Sequence, residues 1–154
     1  MNAISEVRPA KPGDVESIQS CVRQAYEKYV ERIGKPPGPM VDDYEARIRN
    51  DHVWVVSRAD EIVGVLVLIV SPDRCLLDNV AVRPACSGHG IGRLLVSLAE
   101  SKAKEMGYGE IVLYTHEKMA ENVVIYERWG YSIFDRIEEK GFQRIYMQKF
   151  LSAE

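Results

Sequence analysis

Residues 61–70, EIVGVLVLIV, are apolar at nearly every position. A strand with one wetted face alternates apolar and polar residues, so an unbroken run reads as a central strand covered on both faces. That segment alone calls for a sheet with helices packed on it. The rest of the chain supplies the parts. EVRPA (6–10) reads as a short first strand, HVWVVS (52–57) precedes the long run across a polar turn at Ala59 and Asp60, and CLLDNVAV (75–82) follows it. EIVLYT (110–115) is a further strand, and YSIFDRIEE with FQRIYMQKF form a closing hairpin around Lys140 and Gly141.

Helical spacing appears at Val15, Ile18, Val22, Ala25 and Tyr29, with Asp14 placed to cap that helix. The loop IGKPPGPM, with three prolines and two glycines, has no regular structure in this reading. A short helix, VDDYEARIRN, follows, its acidic start and basic end suited to the helix dipole. Ile91, Leu94, Leu95, Leu98 and Met106 trace one face of a third helix that Gly107 can end, and KMAENVVIYERW is a fourth. The order is strand, two helices, three strands, helix, strand, helix, two strands. A chain of 154 residues with no repeat or linker is expected to form one domain over 1–154.

A net charge of −3 argues against nucleic acid as a partner. No apolar run reaches membrane-spanning length, and the N-terminus lacks a signal-peptide core, so the expectation is a cytoplasmic protein with no membrane partner. Cys21, Cys75 and Cys86 match no zinc spacing and read as reduced, small apolar residues. No pair of histidines has metal spacing either, so no metal is expected. His52 and His116 read as surface or packing residues.

Between the strand ending at Val82 and the third helix lies RPACSGHG, continuing into IGRLL, with Gly88, Gly90 and Gly92 at alternating positions. A glycine loop that opens directly into a helix exposes unpaired N–H groups at the positive end of the helix dipole, a general way to hold a phosphate or pyrophosphate. The spacing is neither G-x-x-x-x-G-K-[ST] nor G-x-G-x-x-G, and no acidic ribose or magnesium ligand is in place, which disfavours ATP or a dinucleotide.

NVAVRPACSGHGIGRLL resembles the hallmark of the GCN5-related N-acetyltransferases (GNAT), a strand followed by R/Q-x-x-G-x-G/A, which binds the pyrophosphate of acetyl-coenzyme A. Ser87, Gly90 and Gly92 fall at its defined positions, with Gly88 between; the family usually has Arg or Gln where Ser87 stands. ENVVIYERWGY is similar to a second family motif, an Asn-containing helix ending in Y-x-x-x-G-F/Y. The resemblance spans nearly the whole chain. It implies an α/β fold (α+β by some schemes) whose mixed, mostly antiparallel, seven-stranded sheet carries about four helices on both faces. It also implies an acetyl-coenzyme A-dependent N-acetyltransferase acting on a primary amine of a small molecule or peptide.

The resemblance carries over to particular residues. Ser87, Gly88, His89, Gly90, Ile91, Gly92 and Arg93 would meet the pyrophosphate, while Val80, Ala81 and Val82 would offer backbone groups to the pantetheine arm and thioester. Tyr126 occupies the position of the family's general acid or thiolate stabiliser. Asn122 resembles a cofactor contact, although in many relatives that Asn aligns with Met119. Many members place a glutamate base where this chain has Leu76; Asp78, on the same strand, or a chain of waters would take its place. Alternation along the strand puts Asp78 on one face with Val80 and Val82. The acceptor site would fall at Tyr26, Tyr29, Glu31, the GKPPGPM loop and residues near Phe142. A homodimer is common in the family, and a non-catalytic acyl-coenzyme A sensor is the alternative reading.

Overall fold

A computed structural model describes residues 6–152. Among these residues the strands are β1 (Glu6–Pro9), β2 (His52–Arg58), β3 (Glu61–Ser71), β4 (Arg74–Val82), β5 (Glu110–His116), β6 (Ser132–Glu139) and β7 (Phe142–Phe150). The α-helices are α1 (Val15–Ile33), α2 (Tyr44–Asn50), α3 (Ile91–Glu105) and α4 (Ala120–Arg128). One seven-stranded sheet, ordered β1-β2-β3-β4-β5-β7-β6, is antiparallel throughout except for the parallel β4–β5 pair. This is the mixed sheet expected from the element order. No helix among the described residues is long and apolar enough to cross a membrane.

The long apolar run is β3, and it is covered on both faces as its pattern requires. Val65 and Val67 face a layer built on Ile18, Cys21 and Val22 of α1 and Tyr44 of α2. Leu66 and Leu68 face the opposite layer with Ile91, Leu95 and Ala99 of α3. Fully burying one such side chain contributes about 1.5–3 kcal/mol, so this strand anchors both layers. Cys21, Cys75 and Cys86 are buried and unbridged, in keeping with the apolar reading.

Several local expectations are corrected. Asp14 does not cap α1 with its side chain; its carboxylate accepts from the Lys11 N–H at 2.7 Å and from Arg8 Nη1 at 2.7 Å, closing the turn before the helix. The proline loop is partly regular, with a 3-10 turn at Gly38–Val41, because proline's fixed φ suits the first positions of such a turn. The buried face of α3 is Ile91, Leu95, Val96, Ala99 and Ala103, whereas Leu94 and Met106 are exposed. Small residues let α3 lie close to the sheet: a Cβ on Gly64 of β3 would come within 2.9 Å of Ile91 Cγ2.

The most consequential correction concerns β4. Leu68 pairs with Leu77 and Val67 with Asn79, so Asp78 is an extra residue, a β-bulge. A bulge reverses the alternation that follows it. Val80 and Val82 pack toward the α3 layer, whereas Asp78 bonds Tyr114 and feels Arg47 and Asp42 on the α2 side. Asp78 therefore does not share a face with Val80 and Val82.

Candidate active site

Among the described residues the one parallel strand pair is also the shortest. β4 and β5 pair at Leu76↔Val112 and Leu77↔Leu113 and then diverge. Past that point β4 has an open edge, and its direction follows from the ladder on its other side. The Arg83 N–H donates to Val63 O at 2.9 Å. Hydrogen-bonding direction alternates along an antiparallel pair, so Asn79 and Ala81 face β3 while Val80 and Val82 turn their N–H and C=O groups toward the gap. The gap is braced rather than slack. The Tyr26 hydroxyl donates to Asn79 Oδ1 at 2.8 Å and lies 3.2 Å from Val80 O, while Asn79 Nδ2 donates to the Tyr44 hydroxyl at 3.0 Å. Tyr44 in turn donates to Pro39 O, tying α1, α2 and the proline loop to the bulged strand.

At one end of the gap the glycine loop opens into α3. Gly88 and Gly90 both have φ of +82°, a conformation other residues adopt only with strain, and Gly90 is the N-cap of α3. The first helical bond runs from the Leu94 N–H to Gly90 O, which leaves the N–H groups of Ile91, Gly92 and Arg93 without helical partners. Gly92 lies within the helix, and a Cβ there would meet nothing nearer than Val82 Cγ2 at 3.9 Å. Beside it lies a cleft of about 380 Å³ between the loop and α4, edged by Arg93, Arg128 and Trp129. The Arg93 guanidinium sits over the Trp129 ring at 5.2 Å. The Ser87 hydroxyl is turned to Pro84 O at 2.9 Å, inside its own turn. His89 is exposed and its Nδ1 lies 3.3 Å from Arg58 Nη1, while Arg58 Nη2 donates to Cys86 Sγ at 2.7 Å.

At the other end of the gap a cavity is lined by Tyr26, Asp78, Val80, Tyr114, Asn122 and Tyr126 among others. Tyr126 is packed edge-on against Trp129 and Tyr131, and burial pushes its phenol up to about 12. None of the hydrogen bonds among the described residues uses its hydroxyl. Asn122 and Met119 both line this cavity, with Asn122 Nδ2 3.7 Å from Met119 Sδ. His116, read as a packing residue, lines it too. Its Nδ1 accepts the Lys118 N–H at 3.0 Å, so a neutral ring carries its proton on Nε2, and burial with nearby Lys118, Lys35 and Arg144 lowers its pKa. Among the described residues no cluster of His, Cys, Asp and Glu has the form of a metal site.

Asp78 stands where this cavity meets a second, of about 550 Å³, that opens under the proline loop and the β6–β7 hairpin. Burial raises the Asp78 pKa above the usual carboxylate value; the Tyr114 hydroxyl, donating at 2.9 Å, and Arg47 pull it back only in part. A carboxylate whose pKa burial raises is a stronger base than an exposed one, which suits it to take a proton from an amine.

The proline loop lines both cavities, as expected for an acceptor site, and so does Phe142. Two expected acceptor residues lie elsewhere. Tyr29 is buried between helices, its hydroxyl 3.2 Å from Glu121 Oε2 of α4 and its ring under Arg32 and Lys28. Glu31 is exposed and lines neither cavity. Tyr26 lines the first cavity, where it braces β4. Tyr114, Glu139, Arg144 and Tyr146 were not singled out in the sequence, yet they form the wall of the second cavity. Arg144 and Tyr146 carried a signal, as polar and aromatic residues at alternate positions of a strand with a buried centre, whereas Glu139 carried none on the exposed β6.

A family model described as acetyltransferase (GNAT) family matches residues 18–131. An uncharacterized N-acetyltransferase of Bacillus subtilis, YvbK, is 30% identical over 115 residues, covering 74% of this chain and 72% of its own. Another from Escherichia coli, YjgM, is 31% identical over 131 residues, covering 79% and 78%. The crystal structure of the PaiA N-acetyltransferase from Thermoplasma acidophilum, in complex with coenzyme A, superposes with a TM-score of 0.79 at 17% identity, covering 96% of this chain and 99% of that one.

Proposed function

The chain belongs to the acetyltransferase (GNAT) family, and from that premise we propose that it transfers an acetyl group from acetyl-coenzyme A to a primary amine by direct attack. The observation that carries this reading is the open edge of β4, which runs from the cleft at Val82 beside the α3 N-terminus to the cavities at Val80 and Asp78. Unpartnered amides at Ile91, Gly92 and Arg93 suit a pyrophosphate, and the bare backbone at Gly88 and Gly92 leaves it room. The outward-turned groups of Val80 and Val82 suit the amide-bearing arm. Acetyl-coenzyme A supplies a thioester, whose carbonyl oxygen becomes an oxyanion under attack; in this reading the Val80 N–H, turned toward the gap, stabilises it.

Asp78 takes the amine proton, directly or through one water. Tyr126 serves the departing sulfur as a hydrogen-bond donor. Its phenol, raised to about 12, stays protonated at every working pH. Full proton transfer to a thiolate, whose conjugate acid titrates at about 8.5, runs uphill, so stabilisation rather than transfer is its contribution. Tyr126→Phe is expected to lower kcat by roughly tenfold to a hundredfold while leaving the melting shift with acetyl-coenzyme A intact. Thiol release in the presence of primary amines reads the first, and a thermal scan the second. A Phe variant with undiminished turnover removes Tyr126 from the chemistry. A chain stabilised by acetyl-coenzyme A that acetylates no amine is a sensor instead.

A further inference from the structure

The second cavity has two electrically distinct ends. One is Asp78. The other is Arg144 of β7, whose side chain is only 12% exposed and lines both cavities. Its guanidinium is stacked over the Tyr114 ring at 4.2 Å and lies 5.7 Å from the Phe142 ring. Stacking fixes the plane of the fork. The group has five N–H donors; Nη1 donates to Glu139 Oε1 at 3.0 Å, and Tyr146 is a second hydrogen-bond partner. Among the described residues no buried side-chain nitrogen or oxygen is both sealed from solvent and without a partner, and Arg144 lines the cavity, so its remaining donors are accessible there.

The charge around this end does not cancel. Glu139 is shared between Arg144 and the Tyr146 hydroxyl. Lys140, in the cavity wall beside it, and Lys35, whose Nζ lies 4.3 Å from the centre of the Phe142 ring, form no ion pair among the described residues. At the far wall Asp42 is already bound to Arg47 at 2.9 Å. A polyamine would need a second carboxylate free of a cationic partner, and two of the three that line the cavity, Asp42 and Glu139, are already paired with arginines.

Resting on the transferase reading above, we propose that the acceptor is a primary amine that also carries a carboxylate, and that Arg144 is the residue that receives the carboxylate. A planar guanidinium presents parallel donors that match a carboxylate two-for-two. The amine of the same molecule then reaches Asp78, so one small zwitterion spans the cavity. Arg144 sets which amine is used and how it lies; the proton transfer stays with Asp78.

The test is a matched panel with acetyl-coenzyme A: the common amino acids, their carboxamides, and the corresponding decarboxylated amines. The expected result is a kcat/KM roughly tenfold or more higher for carboxylates than for their neutral partners. Arg144→Gln, which keeps most of the stem, removes that difference, and its melting shift with acetyl-coenzyme A confirms that it is folded. Should that variant fail to fold, the wild-type panel alone decides. Carboxamides or decarboxylated amines used as well as the free acids overturn the proposal, and would point to peptide N-termini or simple amines. Thermal scans of the acetyl-coenzyme A-loaded protein separate the two readings. If no amine is acetylated but carboxylates alone stabilise the protein, the transferase reading falls and the carboxylate site stands. If neither effect is seen while acetyl-coenzyme A still binds, the carboxylate site falls.

Discussion

Asp78 is held in a position that costs stability. Its carboxyl is buried beside Tyr114, and its pKa lies above the value it would have in an unfolded chain. A group raised in this way favours the folded state most when protonated, and the advantage is lost as pH rises through the raised pKa. Ionised at pH 8, the Asp78 carboxyl therefore contributes less to the fold than it does when protonated. Asp78→Asn should melt at or above the wild-type temperature at pH 8, with the difference closing as pH falls toward about 4, where both states of the wild type become protonated. The same variant should lose at least about tenfold in kcat/KM, since an amide cannot accept the proton. Matched melting curves and rates across that pH range check both halves. A variant that melts well below wild type at pH 8 would make Asp78 a structural hydrogen-bonder instead. None of this was legible in the residues alone, because alternation places Asp78 with Val80, and only the pairing of Leu77 and Asn79 with β3 reveals the extra residue.

Among the elements, the junction of β4 and α3 separates what glycine does for the fold from what it does for the ligand. Gly90 has φ of +82° at the N-cap, so a side chain there is strained whatever space is available. Gly92 is helical and its nearest would-be neighbour is 3.9 Å away, so the protein itself gives no reason for a glycine. Gly90→Ala is expected to lower stability by about 1–2 kcal/mol. Gly92→Ala is expected to raise it by about 0.4–1 kcal/mol, since the unfolded chain loses freedom, while weakening acetyl-coenzyme A binding. Denaturant unfolding and ligand titration of both variants make the check; a Gly92→Ala protein that binds as tightly as wild type would move the pyrophosphate away from this turn. This junction was readable from sequence because its chemistry is local, carried by backbone over a few consecutive residues. The buried face of α3 was less so: a search for large apolar residues favours Leu94 and Met106, whereas the helix seats itself on Val96, Ala99 and Ala103.

For the molecule as a whole, the sheet is built around a defect. The layers follow from β3, and the order of strands and helices was legible throughout, since each has its own period or turn. The second cavity was not, because Asp78, Tyr114, Glu139 and Arg144 come from four strands and converge only through the β7–β5 pairing and the bulge. The gap between β4 and β5 leaves the N–H and C=O groups of Val80 and Val82 without a strand partner on that side, in an otherwise continuous sheet. Backbone N–H groups without a partner exchange readily, so those of Val80 and Val82 should be less protected than their β3-facing neighbours Asn79 and Ala81 until something bonds them. Acetyl-coenzyme A at 100 times its Kd should stabilise the chain by about 2.7 kcal/mol, a rise of about 5–10 °C for a protein of this size, with no comparable rise from ATP or NAD. Amide hydrogen exchange should place that gain. Protection is expected at Val80 and Val82 and at Ile91, Gly92 and Arg93, with little change at Val65 or Val67, which are already sealed between two layers. A melting shift accompanied by uniform protection, with no excess along β4, would mean that the ligand binds the fold without filling the gap.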